Sequence, residues 1–250
     1  MVGSGLVLAE AGHATDPVRK ATRTRQDADH GTAGIVGVLA QEGRSRSIIA
    51  VGNQTSNTNT DPEHPIKRLI ARELAASPHA GYLSVHGMGF GRVLSPLDSR
   101  ELDAVIGLGM EPDEEAIAAA ERLQRLAAEY GLHVVIGNKY WHVEMTKTEA
   151  GPRDFPGVTT DLKLDENGKP ATARLAAYGD AFTTTYASRL EVGRAPINMQ
   201  LEISRRLRLQ PEGDYVRPDR DAEVMAVYLG YRLTELATEI CVERANLSTQ

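Results

Sequence analysis

The chain has 250 residues, 41% hydrophobic and 25% charged, which are ordinary values for a soluble globular protein with one large domain. A net charge of −6 and an aromatic content of 5% give no reason to expect binding to nucleic acid or to an acidic membrane surface. The single cysteine, Cys241, excludes an internal disulfide and a cysteine-based zinc site, and its helical setting indicates a small buried residue.

Two further patterns bear on the cellular location of the protein. No apolar run approaches the length of a membrane span. The first five residues, Met1 to Gly5, lack the basic and long apolar regions of a secretory signal. We therefore expect a cytoplasmic protein without a membrane partner; the oligomeric state is not readable from these patterns.

Strand patterns alternate with helix patterns through the first half of the chain. Compact apolar runs predict strands at 6–10, 47–51, 82–85, 104–108 and 133–136. Helical spacing of apolar residues predicts helices at 31–41, 63–76 and 111–130. This alternation predicts a single α/β domain, residues 1–250, with a central mixed, mostly parallel sheet and helices on both faces.

The alternation stops at Gly137. Residues 138–160 form a long polar segment, and long loops in compact domains tend to be functional, so we expect 137–160 to close one side of a substrate pocket. Residues 183–188 and 197–203 read as strands, and 222–242 as a helix. In the second strand Asn198, Gln200 and Glu202 alternate with apolar residues and should share one face.

Histidines and carboxylates follow the predicted strand ends. His86 ends the run Tyr82–Val85, and open α/β sheets bind ligands at the carboxyl ends of their strands. His13 and Asp16, three residues apart after the first strand, could converge on one cation. Two imidazoles, a carboxylate and an open fourth position are typical of a catalytic zinc site. The donor set also accepts manganese or iron, so the native metal stays open.

Three further stretches could serve the same site. Glu202 could act as general base for water at the metal, or it could be a solvent-facing residue on an edge strand. Arg205 and Arg206 could bind a substrate carboxylate through their guanidinium groups. His142, beside Tyr140 and Trp141, could reach the substrate from the long segment.

The motifs resemble a known family in their order along the chain. Gln200-Leu-Glu-Ile-Ser-Arg-Arg206 is similar to the Gln-Leu-Glu-Ile-Asn-Arg segment of the N-formylglutamate amidohydrolases, and Gly12-His13 and Val85-His-Gly-Met88 resemble that family's two histidine segments. Asp103-Ala-Val-Ile-Gly-Leu-Gly109 is similar to its Asp-Ile-Val-Leu-Gly-Thr strand. The order of motifs also resembles the wider zinc-carboxypeptidase fold, a phosphorylase/hydrolase-like architecture.

This resemblance implies a zinc-dependent amidohydrolase that cleaves an amide bond beside a carboxylate. His13 and His86 would be metal ligands and Glu202 the general base. The acidic ligand would be Asp16 or, from the next polar segment as in amidohydrolase-like members, Asp27 or Asp29. Residues 161–186 look longer than the family's usual linker and mark a possible insertion. The substrate would be a small N-acyl amino acid or a short peptide, and its exact identity stays open.

Other classes fit the sequence less well. The glycines at 87, 89, 91, 107 and 109 lack the spacing of a dinucleotide-binding turn, and Ser84 lacks the flanking glycines of a serine hydrolase. The main alternative is a hydrolase-like fold without catalysis that acts in binding or assembly. The combined presence of His13, an acidic residue, His86 and Glu202 favours the enzyme.

Overall fold

The structure, a computed structural model, describes most of the chain. It covers residues 7–14, 29, 31–51, 56–59, 61–76, 78–88, 102–110, 112–137, 141–143, 145–147, 160–162, 172–174, 183–204, 207–208 and 220–247.

Ten strands and five helices are assigned within these residues. They are, in chain order, β1 (Val7–Ala11), α1 (Thr32–Gln41), β2 (Ser45–Ile49), α2 (Pro65–Ala76), β3 (Gly81–Met88), β4 (Ala104–Gly107), α3 (Glu114–Glu129), β5 (Val134–Ile136), β6 (Trp141–Val143), β7 (Met145–Lys147), β8 (Thr160–Leu162), β9 (Thr172–Arg174), α4 (Thr183–Ser188), β10 (Asn198–Ser204) and α5 (Arg220–Leu247).

Six strands form a central sheet in the order β2-β1-β3-β10-β4-β5. The pairs β2–β1, β1–β3, β3–β10 and β4–β5 are parallel, whereas β4 runs antiparallel to β10. The prediction of a mixed, mostly parallel sheet is therefore confirmed. β1, β3 and β10 are parallel neighbours, so their carboxyl ends lie side by side at the same end of the sheet. His13, His86 and Glu202 lie at this end.

Helices cover both faces of the sheet, as expected. On one face α1, α3 and α5 pack on the sheet through the larger apolar core, which includes Val85 and Leu201 of the central strands. On the other face α2 and α4 pack against Leu8 and Tyr82 in a smaller apolar cluster. This smaller cluster leaves room on its face for the polar side chains at the carboxyl ends of β1, β3 and β10.

The long helix α5 contributes buried side chains to the larger core, Cys241 among them, as its sequence setting indicated. Within the part of the chain that the structure describes, no helix is both long enough and apolar enough to cross a membrane.

The prediction of a strand at 183–188 is wrong, because these residues form α4. Three consecutive threonines favour a strand locally, but all three are buried in this helix. The hydroxyl of Thr183 lies 3.0 Å from Ser84 Oγ, in contact with the polar face of the sheet. This tertiary packing overrides the weak local preference.

Short strands interrupt the segment 138–160, which the sequence indicates to be a long polar loop. It contains β6 and β7, and β8 begins at its last residue. β6 pairs antiparallel with β9, and β7 pairs antiparallel with β8. The partners lie well apart along the chain, so a local pattern does not reveal them. The roles of 137–160 as a substrate-side segment and of 161–186 as an insertion stay predictions.

Candidate metal centre

The first histidine of the centre follows β1 directly, and a backbone contact brings an aspartate to it. His13 lies in the turn after β1, and its carbonyl oxygen accepts a hydrogen bond from the backbone N–H of Asp29 at 2.8 Å. The backbone N–H and hydroxyl of Thr32 both donate to the carbonyl oxygen of Asp29, at 3.2 and 2.7 Å. Asp29 is therefore held between the β1 turn and the start of α1.

His13, Asp29 and His86 converge in the interior of the protein. Asp29 Oδ2 lies 3.1 Å from His86 Nδ1 and 3.5 Å from His13 Nδ1. The two imidazole rings meet edge to face, with centroids 4.6 Å apart and an interplanar angle of 81°. One donor atom from each of the three residues lies within 4.8 Å of the other two. All three side chains are buried.

This geometry fits a zinc ion. Zn–N and Zn–O bonds of about 2.0–2.1 Å in a tetrahedron place neighbouring donor atoms about 3.3–3.4 Å apart. The two distances from Asp29 Oδ2, 3.1 and 3.5 Å, lie on either side of that value. Two imidazoles and a carboxylate also supply the nitrogen and oxygen donors that zinc accepts. The donor types and these two distances are therefore compatible with a zinc ion.

Contacts within the cluster determine the charges of Asp29 and His86. Burial alone would raise the pKa of Asp29, but hydrogen bonds and charge interactions with His13 and His86 outweigh it and hold that pKa well below its usual range. For His86, burial favours the neutral ring, but the hydrogen bond and negative charge of Asp29 raise its pKa to about 9. An ionised Asp29 therefore attracts positive charge into a buried site, and a divalent cation satisfies the same attraction.

Glu202 lies next to this cluster. In the β3–β10 ladder Glu202 is the direct partner of His86, so both side chains point to the same face. Gln200 Nε2 donates to Glu202 Oε1 at 2.6 Å. The alternative that placed Glu202 on an edge strand is wrong, because β10 lies between β3 and β4, and the side chain is partly buried.

The same polar face carries a buried carboxylate that the sequence interpretation missed. Glu10 of β1 is fully buried, and its Oε2 accepts hydrogen bonds from Ser84 Oγ at 2.6 Å and from Tyr82 Oη at 3.1 Å. Its Oε1 is buried and has no hydrogen-bond partner within the described part of the chain. The sequence signal that could have identified it is a charged residue, Glu10, at the end of an otherwise apolar strand pattern. Glu10 adds negative charge that reaches His86.

The structure does not describe the side chains of the remaining predicted site residues. Asp16, Asp27, Arg205 and Arg206 lie outside the described residues, and so does the side chain of His142. The structure thus brings together His13, His86 and Glu202, and of the three candidate acidic ligands it places Asp29 in the cluster. The catalytic and ligand roles of all these residues stay predictions.

No protein-family model matches this chain, and no curated protein matches it. The N-formylglutamate amidohydrolase resemblance therefore rests on its short motifs alone.

Several solved structures are similar over nearly their whole length. The catalytic domain of CwlV, an N-acetylmuramoyl-L-alanine amidase from Bacillus (Paenibacillus) polymyxa var. colistinus, is 13% identical, with a TM-score of 0.42 over 97% of this chain and 98% of that chain. The N-acetylmuramoyl-L-alanine amidase AmiC2 of Nostoc punctiforme is 10% identical, with a TM-score of 0.39 over 98% of each chain.

The CwlD amidase from Clostridioides difficile, solved in complex with the GerS lipoprotein, is 9% identical, with a TM-score of 0.36 over 98% of this chain and 100% of that chain. Scores and identities this low do not establish a shared activity, so the site is interpreted from its own geometry.

Proposed function

We propose that this protein is a metal-dependent hydrolase that cleaves an amide bond of a small, carboxylate-bearing N-acyl amino acid or short peptide. The observation that carries the proposal is the convergence of His13, Asp29 and His86, with Glu202 paired to His86 on the adjacent strand. Zinc is the metal we assign, with these three residues as its ligands. When bound, zinc supplies Lewis-acid chemistry that polarises a carbonyl and makes water nucleophilic near neutral pH.

Glu202 is the general base in this proposal. Its Oε1 is held by Gln200, which leaves Oε2 to take a proton from the attacking water. The water oxygen adds to the amide carbon, Glu202 delivers the proton to the departing nitrogen, and the C–N bond breaks. The products are a carboxylic acid and an amine.

The substrate class rests on the motif resemblance and on two arginines that follow β10 in the sequence. Arg205 and Arg206 follow the last residue of β10 by one and two positions in the sequence. We assign one of them to the substrate carboxylate, because a guanidinium pairs with a carboxylate through two hydrogen bonds. His142 is assigned to a further substrate contact.

The test is a comparison of Glu202→Gln with the wild type on a panel of N-formyl and N-acyl amino acids, γ-glutamyl compounds and short peptides, with amine release as the readout. Loss of the base should lower turnover by roughly 10²–10⁴-fold while zinc content stays the same. Glu191→Gln, which changes an exposed glutamate outside the site, is the matched control and should leave turnover intact.

Unchanged turnover in Glu202→Gln would remove Glu202 from the mechanism. A wild type that holds zinc and cleaves none of the panel would favour the non-catalytic alternative, a hydrolase-like fold used in binding or assembly.

A further inference from the structure

Asn57 contacts the side of His13 that faces away from Asp29. It lies in the segment after β2 and its side chain is buried. Its Oδ1 is 3.1 Å from His13 Nε2 and also accepts a hydrogen bond from the backbone N–H of Asn59 at 2.8 Å. A backbone N–H can only donate, so the atom that faces both groups is the amide oxygen and not the amide nitrogen.

This assignment fixes the proton on the His13 ring. Because Asn57 Oδ1 can only accept, His13 Nε2 must be the donor. A neutral ring that carries its proton on Nε2 has a lone pair on Nδ1. That Nδ1 is the atom 3.5 Å from Asp29 Oδ2, on the side where the three candidate ligands converge.

We propose that Asn57 is a positioning residue that holds His13 in the tautomer and ring orientation needed to bind the metal through Nδ1. The proposal rests on the proposed metal site. In many metal-bound histidines a backbone carbonyl or a carboxylate accepts a hydrogen bond from the ring nitrogen that does not bind the metal. We assign this role to Asn57. His86 differs in this respect, since its Nε2 is buried and has no hydrogen-bond partner among the residues that the structure describes. Asn57 therefore acts on one of the two histidines.

The segment that carries Asn57 is anchored to α2. The carbonyl oxygen of Asn57 accepts from the backbone N–H of Asp61 at 2.9 Å. Lys67 of α2 reaches back and donates from Nζ to the carbonyl oxygen of Asp61 at 2.7 Å, and its side chain is buried. These contacts give the Asn57 amide a defined position against the ring.

The first test measures zinc affinity by competition with a chelator. Asn57→Leu keeps the approximate size but removes the acceptor, and zinc binding should weaken by about 10–100-fold. Asn57→Asp keeps an acceptor oxygen and should bind zinc at least as tightly as the wild type. Asn198→Leu is the control, because it removes a buried asparagine whose amide donates to the carbonyl oxygen of Ala195, and it should leave zinc affinity unchanged.

The second test reads the His13 ring by nitrogen NMR in the full chain with zinc. In the wild type Nε2 should carry the proton and Nδ1 should show the shift of a metal-bound nitrogen. A wild-type ring with its proton on Nδ1 overturns the proposal even if Asn57→Leu does not fold. Equal zinc affinity in wild type and Asn57→Leu also overturns it, while the zinc site itself stands.

Failure of the proposed function has a different signature. If the wild type binds no zinc, the metal site is wrong, and the His13 ring is then measured in the zinc-free chain. A proton on Nε2 there supports the hydrogen bond from His13 to Asn57 but not its role in metal binding, and a proton on Nδ1 overturns the hydrogen bond as well.

Discussion

Glu202 and His86 are direct partners across the parallel strands β10 and β3. Neighbouring strands lie about 4.8 Å apart, and paired residues of parallel strands point to the same face. The proposed base and a proposed ligand are therefore kept side by side by the sheet itself. A one-residue shift between β3 and β10 would send one of these side chains to the opposite face.

A buried arginine ties the ends of these two strands together. Arg208 donates from Nε to the carbonyl oxygen of Ile203 in β10 at 3.0 Å, and from Nη2 to that of Met88 in β3 at 3.3 Å. A Cβ at Gly87 would lie within 2.6 Å of three atoms of the guanidinium group. The absence of a side chain at Gly87 thus lets Arg208 cross the strand ends.

We predict that Gly87→Ala lowers the free energy of unfolding by about 1–3 kcal/mol, because the added methyl group must displace the buried Arg208 guanidinium from its hydrogen bonds to Ile203 and Met88. The control is Gly34→Ala in α1, where an added Cβ meets nothing within 4 Å. That change should stabilise the protein by about 0.5–1 kcal/mol, since alanine is the better helix former. Urea unfolding of both variants measures the two effects, and equal stability of Gly87→Ala and wild type would contradict the clash.

The His86–Asp29 contact predicts how the zinc-free protein responds to pH. His86 has a pKa of about 9 in the folded protein, above its ordinary value of 6.5, because Asp29 stabilises the charged ring. The stability from this contact should be fully present below pH ~6.5 and lost as the pH rises through about 9. Melting temperatures in chelator across this range should therefore fall. Asp29→Asn should show a smaller fall; an identical fall would assign the pH dependence to other groups.

Cys241 should not react with thiol reagents in the folded protein. It is fully buried in α5, and burial raises the pKa of its thiol to about 12, so the thiolate is scarce at neutral pH. We expect labelling by a thiol-specific reagent to be slow in native buffer and complete in denaturant. Rapid labelling of the native chain would show that α5 opens away from β3.

The sequence predicted the parts of the fold that depend on local pattern. The strand that ends near His86 and the alternating strand around Glu202 were both found, because buried strands give short apolar or alternating runs. It did not predict α4, where Thr183 packs against Ser84 from a distant part of the chain. Nor did it find the short strands after Gly137, whose partners are remote in sequence.

The same distinction between local sequence pattern and tertiary contact applies to the candidate site. His13 and His86 are identified because each follows a recognisable apolar run in the sequence, whereas no local pattern decides among Asp16, Asp27 and Asp29. The backbone contact between Asp29 and His13 brings Asp29 to the cluster, whereas Asp16 and Asp27 lie outside the described residues. Asn57 was not singled out, since it belongs to a polar run in which no local pattern distinguishes one asparagine from the next.

The most direct test of the account is the zinc content of purified protein, measured by elemental analysis for the wild type, His86→Ala, Asp29→Asn and His133→Ala. His133 precedes β5, away from the three clustered residues, and serves as the histidine control. We predict one zinc per chain in the wild type and in His133→Ala, and loss of stoichiometric zinc in the other two. A full equivalent of zinc in both His86→Ala and Asp29→Asn would contradict the metal centre.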